Sequence, residues 1–267
     1  KNTFNISVSE IEKAITSKTK AIVPVHLYGQ SADMEPIMQI ASKNNLFVIE
    51  DNAQALGAEY SFSDGTTKKT GTIGHIGCNS FFPTKNLGCF GDGGALITND
   101  ILLAEKCRII ASHGQKKKYH HSRIGCNSRL DTIHAAVLNV KLKYLDDFIS
   151  ARQKAADYYF KELSGLKGIT LPQIMNYAKH TFNQFTIKVD GGKRDEMQTY
   201  LKERGIPSII YYPLPLYKQE AFKKYCTPGF EFPNTEELCS SVLSIPMHTE
   251  LTFDIQNKII ETIKSFC

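Results

Sequence analysis

The sequence predicts an α/β fold with a mostly parallel sheet, and three features carry that prediction. Two apolar runs, Ala21–Val25 and Leu46–Glu50, flank a helical stretch from Asp33 to about Asn44. Strand, helix and strand in that order make a βαβ unit, whose two strands run parallel. The second run is continuously apolar, as in a strand covered on both faces. From about Ile149 the pattern changes to alternating helices and strands, which predicts a smaller α+β domain. The expected division is 1–148 and 149–267, and a chain of 267 residues is long enough for both.

The elements follow in order. Ser7-Val8-Ser9-Glu10 reads as a capping box ahead of a helix with Ile11, Ala14 and Ile15 at helical spacing. Pro24 puts the first strand at a sheet edge or marks its end. Asp33 is the expected cap of the next helix. Ser61 to Thr72 is polar and reads as a hairpin or loop. Gly77–Phe82 is a strand, and Gly91-Asp92-Gly93-Gly94 turns the chain into Ala95–Thr98, with Asp92 a turn residue. Ile101–Ala111 is a helix. Beyond Asp131 a long helix is expected, with Ile133, Val137, Val140 and Tyr144 on one face. Phe182–Val189 and Ser208–Tyr212 read as strands, Lys193–Arg204 as a helix, and the chain closes on an amphipathic helix.

Composition narrows the function. A net charge of +5 is mild and favours a phosphorylated ligand over nucleic acid, which asks for a concentrated basic face. No apolar run approaches the roughly 20 residues that span a bilayer. The 7 cysteines are scattered and contain no Cys-x-x-Cys pair, which predicts reduced thiols in a cytoplasm. His113, His120 and His121 have no carboxylate or cysteine cluster beside them, so no metal site is expected. Lys116, Lys117, Lys118 and Arg123 around them read as a solvated loop, or as cations placed for a diphosphate.

The chemistry concentrates in Cys78–Ala95. Lys85 lies between the apolar run ending Ser80-Phe81-Phe82 and four glycines, Gly88, Gly91, Gly93 and Gly94. Packed walls and close backbone approach suit an amine that must reach a flat, buried electrophile, and burial favours the neutral, nucleophilic form. A Gly-rich hairpin with an ordinary solvated lysine is the plainer reading. Asp51 closes the Leu46–Glu50 strand, and ligands of open α/β sheets sit at the carboxyl ends of strands. Asp51 is otherwise a strand-end turn former. A carboxylate and a downstream lysine are the two fixed needs of pyridoxal phosphate. His26, at the end of the first strand, either lines the site or makes a structural hydrogen bond.

Together, Glu50-Asp51-Asn52-Ala53-Gln54-Ala55-Leu56-Gly57-Ala58 and the Ser80–Ala95 segment resemble the DegT/DnrJ/EryC1/StrS family of sugar aminotransferases. The resemblance runs over essentially the whole chain. It implies an aspartate-aminotransferase-like fold and pyridoxal phosphate as cofactor. Lys85 would be the Schiff-base lysine and Asp51 the partner of the ring nitrogen. Gln54 would lie beside the ring hydroxyl and Ser80 on the phosphate. Relatives acting as dehydratases carry histidine in place of this lysine, so its presence favours amino transfer. The Gly125-Cys126-Asn127-Ser128-Arg129 turn resembles the family's Gly-x-Asn-x-Arg, which implies a homodimer with shared sites and Asn127 on the partner's cofactor phosphate. His134 stands where relatives usually have glutamine and reads as helix packing. Tyr211-Tyr212-Pro213-Leu214-Pro215-Leu216 resembles the family's substrate loop, with Tyr211 where histidine is frequent. The family's N-terminal phosphate-binding segment has no counterpart here, so the sequence reads as truncated.

The implied reaction moves an amino group from glutamate to a nucleotide-linked keto-sugar, in a pathway of cell-surface polysaccharide biosynthesis. The segments Leu87–Ala95, Tyr119–Arg129 and Tyr212–Leu216 look most like members acting on 3-keto sugars, in particular a UDP-linked 2-acetamido-3-keto-hexuronate. Arg129 is the candidate partner of the uronate carboxylate, or it braces the turn before the long helix. Tyr211 and Tyr212 would face the sugar. Two other readings within the family stand beside this one: a 4-keto-sugar aminotransferase, and a non-catalytic, cofactor-binding regulatory protein. A cysteine desulfurase on the same fold would need a reactive thiol in cationic company, which only Cys126 approaches.

Overall fold

The structure is a computed structural model and describes residues 1–226, 229 and 231–267. The chain forms two compact units. The first comprises Asn5–Ile149 and Asn176–Thr181; the second comprises Lys1–Phe4, Ser150–Met175 and Phe182–Cys267.

The first unit contains α1 (Val8–Ala14), β1 (Ala21–Ile22), α2 (Met34–Lys43), β2 (Phe47–Asp51), β3 (Glu59–Ser61), β4 (Thr67–Lys69), β5 (Ile76–Ser80) and β6 (Gly94–Ile97). Then come α3 (Ile101–Ala111), β7 (Gln115–Lys117), β8 (His120–His121), α4 (Thr132–Lys141) and the first residues of α5 (Leu145–Leu163). Its main sheet has the order β1-β2-β5-β6. β1 and β2 pair in parallel with Ala21 opposite Phe47, and β2 and β5 in parallel with Asp51 opposite Cys78. β6 returns antiparallel, Gly94 opposite Ser80. The sheet is therefore mostly parallel, and β1 lies at its edge, as Pro24 requires.

Apolar spacing explains why α2 packs where it does. Met34, Ile37, Ile40 and Ala41 recur on one helical face and are buried with Val48 of β2, Ile22 of β1 and Ile11 of α1. Each large apolar side chain buried in this way stabilises the unit by about 1.5–3 kcal/mol. The two expected caps work differently from the sequence pattern. Ser7 makes no side-chain cap bond; its hydroxyl meets that of Ser9 at 3.0 Å. Asp33 makes none either, because its Oδ1 accepts the Tyr60 hydroxyl at 2.6 Å.

Three further expectations are corrected. β2 is not covered on both faces: Val48 and Glu50 are buried while Phe47 is 54% exposed, a period-two pattern. The basic run around His113–Arg123 is no plain loop, since β7 and β8 form a small antiparallel hairpin. The helix after Asp131 breaks into α4, a 3-10 turn at Leu142–Tyr144 and α5. On α4 the predicted face is the open one: Ile133 is 76% exposed, whereas Leu138 is buried.

The second unit contains most of α5, then β9 (Ile169–Thr170), β11 (Phe185–Val189), α6 (Arg194–Glu203), α7 (Pro233–Ser241), β12 (Val242–Ile245) and α8 (Phe253–Phe266). β10 (Ala178–Lys179) belongs to the first unit and pairs with β3. β11 runs between β12 and β9, antiparallel to both. Tyr159, Phe185, Ile187, Met197, Leu243 and Ile260 fill the core between this sheet and its helices. The strand expected at Ser208–Tyr212 reduces to a single bridge, Ile209 to Ser244. Among the described residues no helix is long and apolar enough to cross a membrane.

Candidate active site

Parallel strands bring their carboxyl ends to one end of the sheet, and three loops of the first unit meet there. One follows β1 and carries His26–Gln30. The second follows β2 and carries Asn52–Gln54. The third leaves β5 at Ser80, carries Lys85 and returns at Gly94 into β6.

The third loop is held along its length. Phe81 N donates to Gly93 O at 2.7 Å, Cys89 N to Phe81 O at 2.8 Å, and Lys85 N to Phe82 O at 2.9 Å. Leu87 and Cys89 are buried against Leu138 of α4. Gly88 is required: a Cβ there would run into the carbonyl of Pro83. Lys141 of α4 donates to Gly88 O at 2.5 Å. The walls expected around Lys85 are only partly closed within this chain, since Phe82 and Phe90 are exposed.

Lys85 is half-buried, and among the described residues its amine makes no salt bridge and no side-chain hydrogen bond. Burial pushes the amine below the usual lysine range, and the carboxylate of Asp51 opposes that shift without cancelling it. Asp51 is clasped through its backbone: its N–H donates to Pro24 O at 2.9 Å and its carbonyl accepts from His26 N at 3.0 Å. Its Oδ1 accepts from Ala53 N at 3.1 Å. Gln54 is buried, and its Oε1 accepts from Tyr28 N at 2.7 Å. Ser80 Oγ accepts from Phe82 N at 3.3 Å. Lys85, Asp51, Gln54 and Ser80 thus belong to one end of one sheet.

Asn127, Arg129, Tyr211 and Tyr212 are carried by other segments of the chain. Asn127 pairs through its backbone with Ser112 beyond the end of α3, and both Asn127 and Arg129 are exposed. Neither side chain makes a hydrogen bond or ion pair among the described residues. Tyr211 and Tyr212 belong to the second unit, their rings 5.5 Å apart. Among the described residues no cluster of His, Cys, Asp or Glu is suited to a metal ion.

The sequence profile of the DegT/DnrJ/EryC1/StrS aminotransferase family matches residues 1–264. The chain belongs to this family. It is 47% identical over 266 residues to a pleiotropic regulatory protein of Geobacillus stearothermophilus, spanning 99% of this chain and 70% of that one. It is 43% identical over 249 residues to the UDP-2-acetamido-2-deoxy-3-oxo-D-glucuronate aminotransferase of Pseudomonas aeruginosa, spanning 93% and 66%. The solved structure of DesV from S. venezuelae, in complex with a ketimine intermediate, superposes with a TM-score of 0.92 at 37% identity, covering 99% of this chain and 70% of that one. The chain therefore has the fold of these aminotransferases, and spans about two thirds of the length of the relatives it matches. It is an aminotransferase chain, and its cofactor is pyridoxal phosphate.

The residues present fit that cofactor. A half-buried amine of lowered basicity, unpaired among the described residues and influenced by a carboxylate at a strand end, is the donor set that a pyridine aldehyde requires. The sequence reading passed over three groups that shape this set: Glu50, the Lys141 clamp on Gly88, and the bond from Tyr28 N to Gln54. Glu50 did carry a signal, being a charged residue within a buried run.

Proposed function

We propose that the protein transfers an amino group from glutamate to C3 of a UDP-linked 2-acetamido-3-keto-hexuronate, and that it does so as a cytoplasmic homodimer with shared sites. The observation that carries the reading is Lys85, a half-buried amine that is unpaired among the described residues and lies within the electrostatic reach of Asp51. The substrate rests on similarity to the Pseudomonas aeruginosa enzyme of that specificity.

Bound pyridoxal phosphate supplies an electron sink for the carbanion left when the donor loses its Cα proton. Lys85 would hold the cofactor through its amine at rest; burial lowers the basicity of that amine in the free chain, which suits a group that would take and return the donor Cα proton when it is released. Asp51 would keep a proton on the ring nitrogen, and Gln54 and Ser80 would hold the ring hydroxyl and the phosphate. Asn127 would serve the partner's phosphate. For the keto-sugar the proton transfers reverse. Arg129 would grip the uronate carboxylate with its fork, while Tyr211 and Tyr212 offer hydroxyls and apolar faces to the sugar.

The name of the Geobacillus relative supports a second reading, a regulatory protein that binds cofactor without turnover. Such a protein could hold the cofactor on Lys85 but would need no group there to move a proton, so turnover separates the two readings. The deciding experiment incubates the full-length protein with pyridoxal phosphate, glutamate and the 3-keto uronate, and looks for the 3-amino product by mass spectrometry. A 4-keto sugar nucleotide runs in parallel. Preference for the 4-keto sugar would reject the assigned position, and no turnover on either would favour the regulatory reading. Arg129→Lys should lower kcat/KM for the uronate far more than for a neutral 3-keto sugar; equal losses would reject the carboxylate role.

A further inference from the structure

β2 ends in two adjacent carboxylates, and strand alternation sends them to opposite faces. Asp51 is partly exposed, whereas Glu50 is 0% exposed. Glu50 accepts hydrogen bonds from His26 Nε2 at 2.9 Å, Gly71 N at 2.7 Å, Ile73 N at 2.7 Å and Gly74 N at 2.6 Å. Burial would raise its carboxyl, but the bonds from His26, Gly74 and Gly71 hold it below the usual range. His26 is also 0% exposed, and its Nδ1 lies 3.0 Å from Ala32 N. A backbone N–H only donates, so Nδ1 accepts and Nε2 carries the proton given to Glu50.

The backbone of His26 completes the arrangement. Its N–H donates to the Asp51 carbonyl at 3.0 Å, so the residue that binds Glu50 by its ring binds Asp51 by its main chain. His26 also precedes the 3-10 turn Leu27–Gly29, whose Tyr28 N holds Gln54 Oε1 at 2.7 Å. Desolvating a carboxylate is costly, and an apolar pair of similar volume is often no less stable. A buried carboxylate held by an imidazole at this point therefore asks for another role.

We propose that His26 is a positioning residue: its bond to Glu50 fixes the carboxylate of Asp51, and the turn it opens fixes Gln54. The inference rests on the reading of Asp51 as the partner of the cofactor's ring nitrogen. It gives His26 a part in how the ring is held, although its own side chain is 0% exposed.

Two substitutions divide the imidazole. In His26→Asn the amide oxygen can replace Nδ1 toward Ala32 but cannot reach Glu50. In His26→Gln the amide nitrogen can replace Nε2 and keep the bond to Glu50. The full-length protein is reconstituted with ring-15N pyridoxal phosphate, and Asp51→Asn serves as the control. The readouts are the nitrogen chemical shift, which separates a protonated from a bare ring, the cofactor Kd, and the melting temperature of the cofactor-free protein. The expected result for His26→Asn is a shift toward the bare ring with a Kd raised about tenfold or more, and for His26→Gln a protonated ring with a Kd within about threefold of wild type. A folded His26→Asn protein with wild-type shift and Kd would overturn the proposal. If His26→Asn does not fold, His26→Gln decides alone, and a bare ring in that folded protein overturns it. An unchanged shift in Asp51→Asn would instead reject the reading of Asp51, which separates the two failures.

Discussion

Lys141 Nζ lies 2.5 Å from the carbonyl oxygen of Gly88, so α4 holds the far side of the loop that presents Lys85. A hydrogen bond from a charged donor is worth about 1.5–3 kcal/mol, and here it acts on a loop tightened by the approach of Gly88 to Pro83. Lys141→Met should lower kcat about tenfold while leaving a folded protein, because roughly 1.4 kcal/mol of misplacement is a tenfold change in rate. Lys141→Arg should retain most of the rate. Gly88→Ala should do more damage than Lys141→Met, since a Cβ forces the backbone itself to move. Steady-state kinetics beside thermal unfolding would check the order, and a fully active Gly88→Ala enzyme would contradict the geometry.

Asp51 and Lys85 give a second prediction, in which the sign matters. Burial disfavours the ammonium and lowers the amine's pKa, while the Asp51 carboxylate favours the ammonium and raises it. Asp51→Asn removes only the raising effect. In the cofactor-free protein, Lys85 of that variant should become acylated at lower pH than in wild type. Peptide mass spectrometry across a pH series gives the midpoint. A midpoint that rises, or stays put, would show that the carboxylate does not act on the amine.

The part of the site that was legible in the sequence is the part written in local pattern. Asp51 ends an apolar run and Lys85 sits among glycines that the loop needs, so both stood out. α2 was legible because Met34, Ile37, Ile40 and Ala41 repeat at helical spacing. Glu50 shows in the sequence only as a charge in an apolar run, and its role is not legible because three of its four partners are backbone N–H groups of residues 71–74. His26 was left between two roles because its partner lies 24 residues away. Ser208–Tyr212 has strand-forming residues, yet Pro207 and Pro213 flank it and confine pairing to the one bridge at Ile209. The apolar spacing of α4 identified a real face but not which side packs, because periodicity carries no information about the neighbour.

The exposure of Asn127 leads to a third prediction. Its side chain makes no hydrogen bond within the described residues of its own chain, which suits a residue serving a partner's site. Lys85→Ala should lose turnover, and Asn127→Ala should be severely impaired. Mixed under conditions that exchange subunits, the two inactive proteins should regain some activity, because a hybrid dimer contains one site with both residues intact. Tagged subunits would confirm that hybrids form. Hybrids without any rescue would assign Asn127 to its own chain's site.

The acid limb of stability follows from two buried groups in the first unit. His180 is 6% exposed, and burial pushes its imidazole down to about 3. The unfolded chain takes up that proton near the ordinary value of about 6.5, so it binds more protons than the folded state as pH falls below that point. Stability must therefore fall with pH between about 6.5 and about 3, with a slope of up to ~1.4 kcal/mol per pH unit for this one group. Glu50 acts in the same direction but later. Its folded carboxyl is held below 4.5, so its contribution is complete above that value and is lost only as pH falls through the lower, folded one. The two groups separate by window. His180→Gln should flatten the decline between pH 6.5 and 5, leaving the steeper loss below 4.5. Glu50→Gln should be less stable at neutral pH and lose less below 4.5. Urea midpoints at pH 7, 5.5 and 4 distinguish them, and an undiminished slope between pH 6.5 and 5 in His180→Gln would rule out burial of this imidazole as the cause.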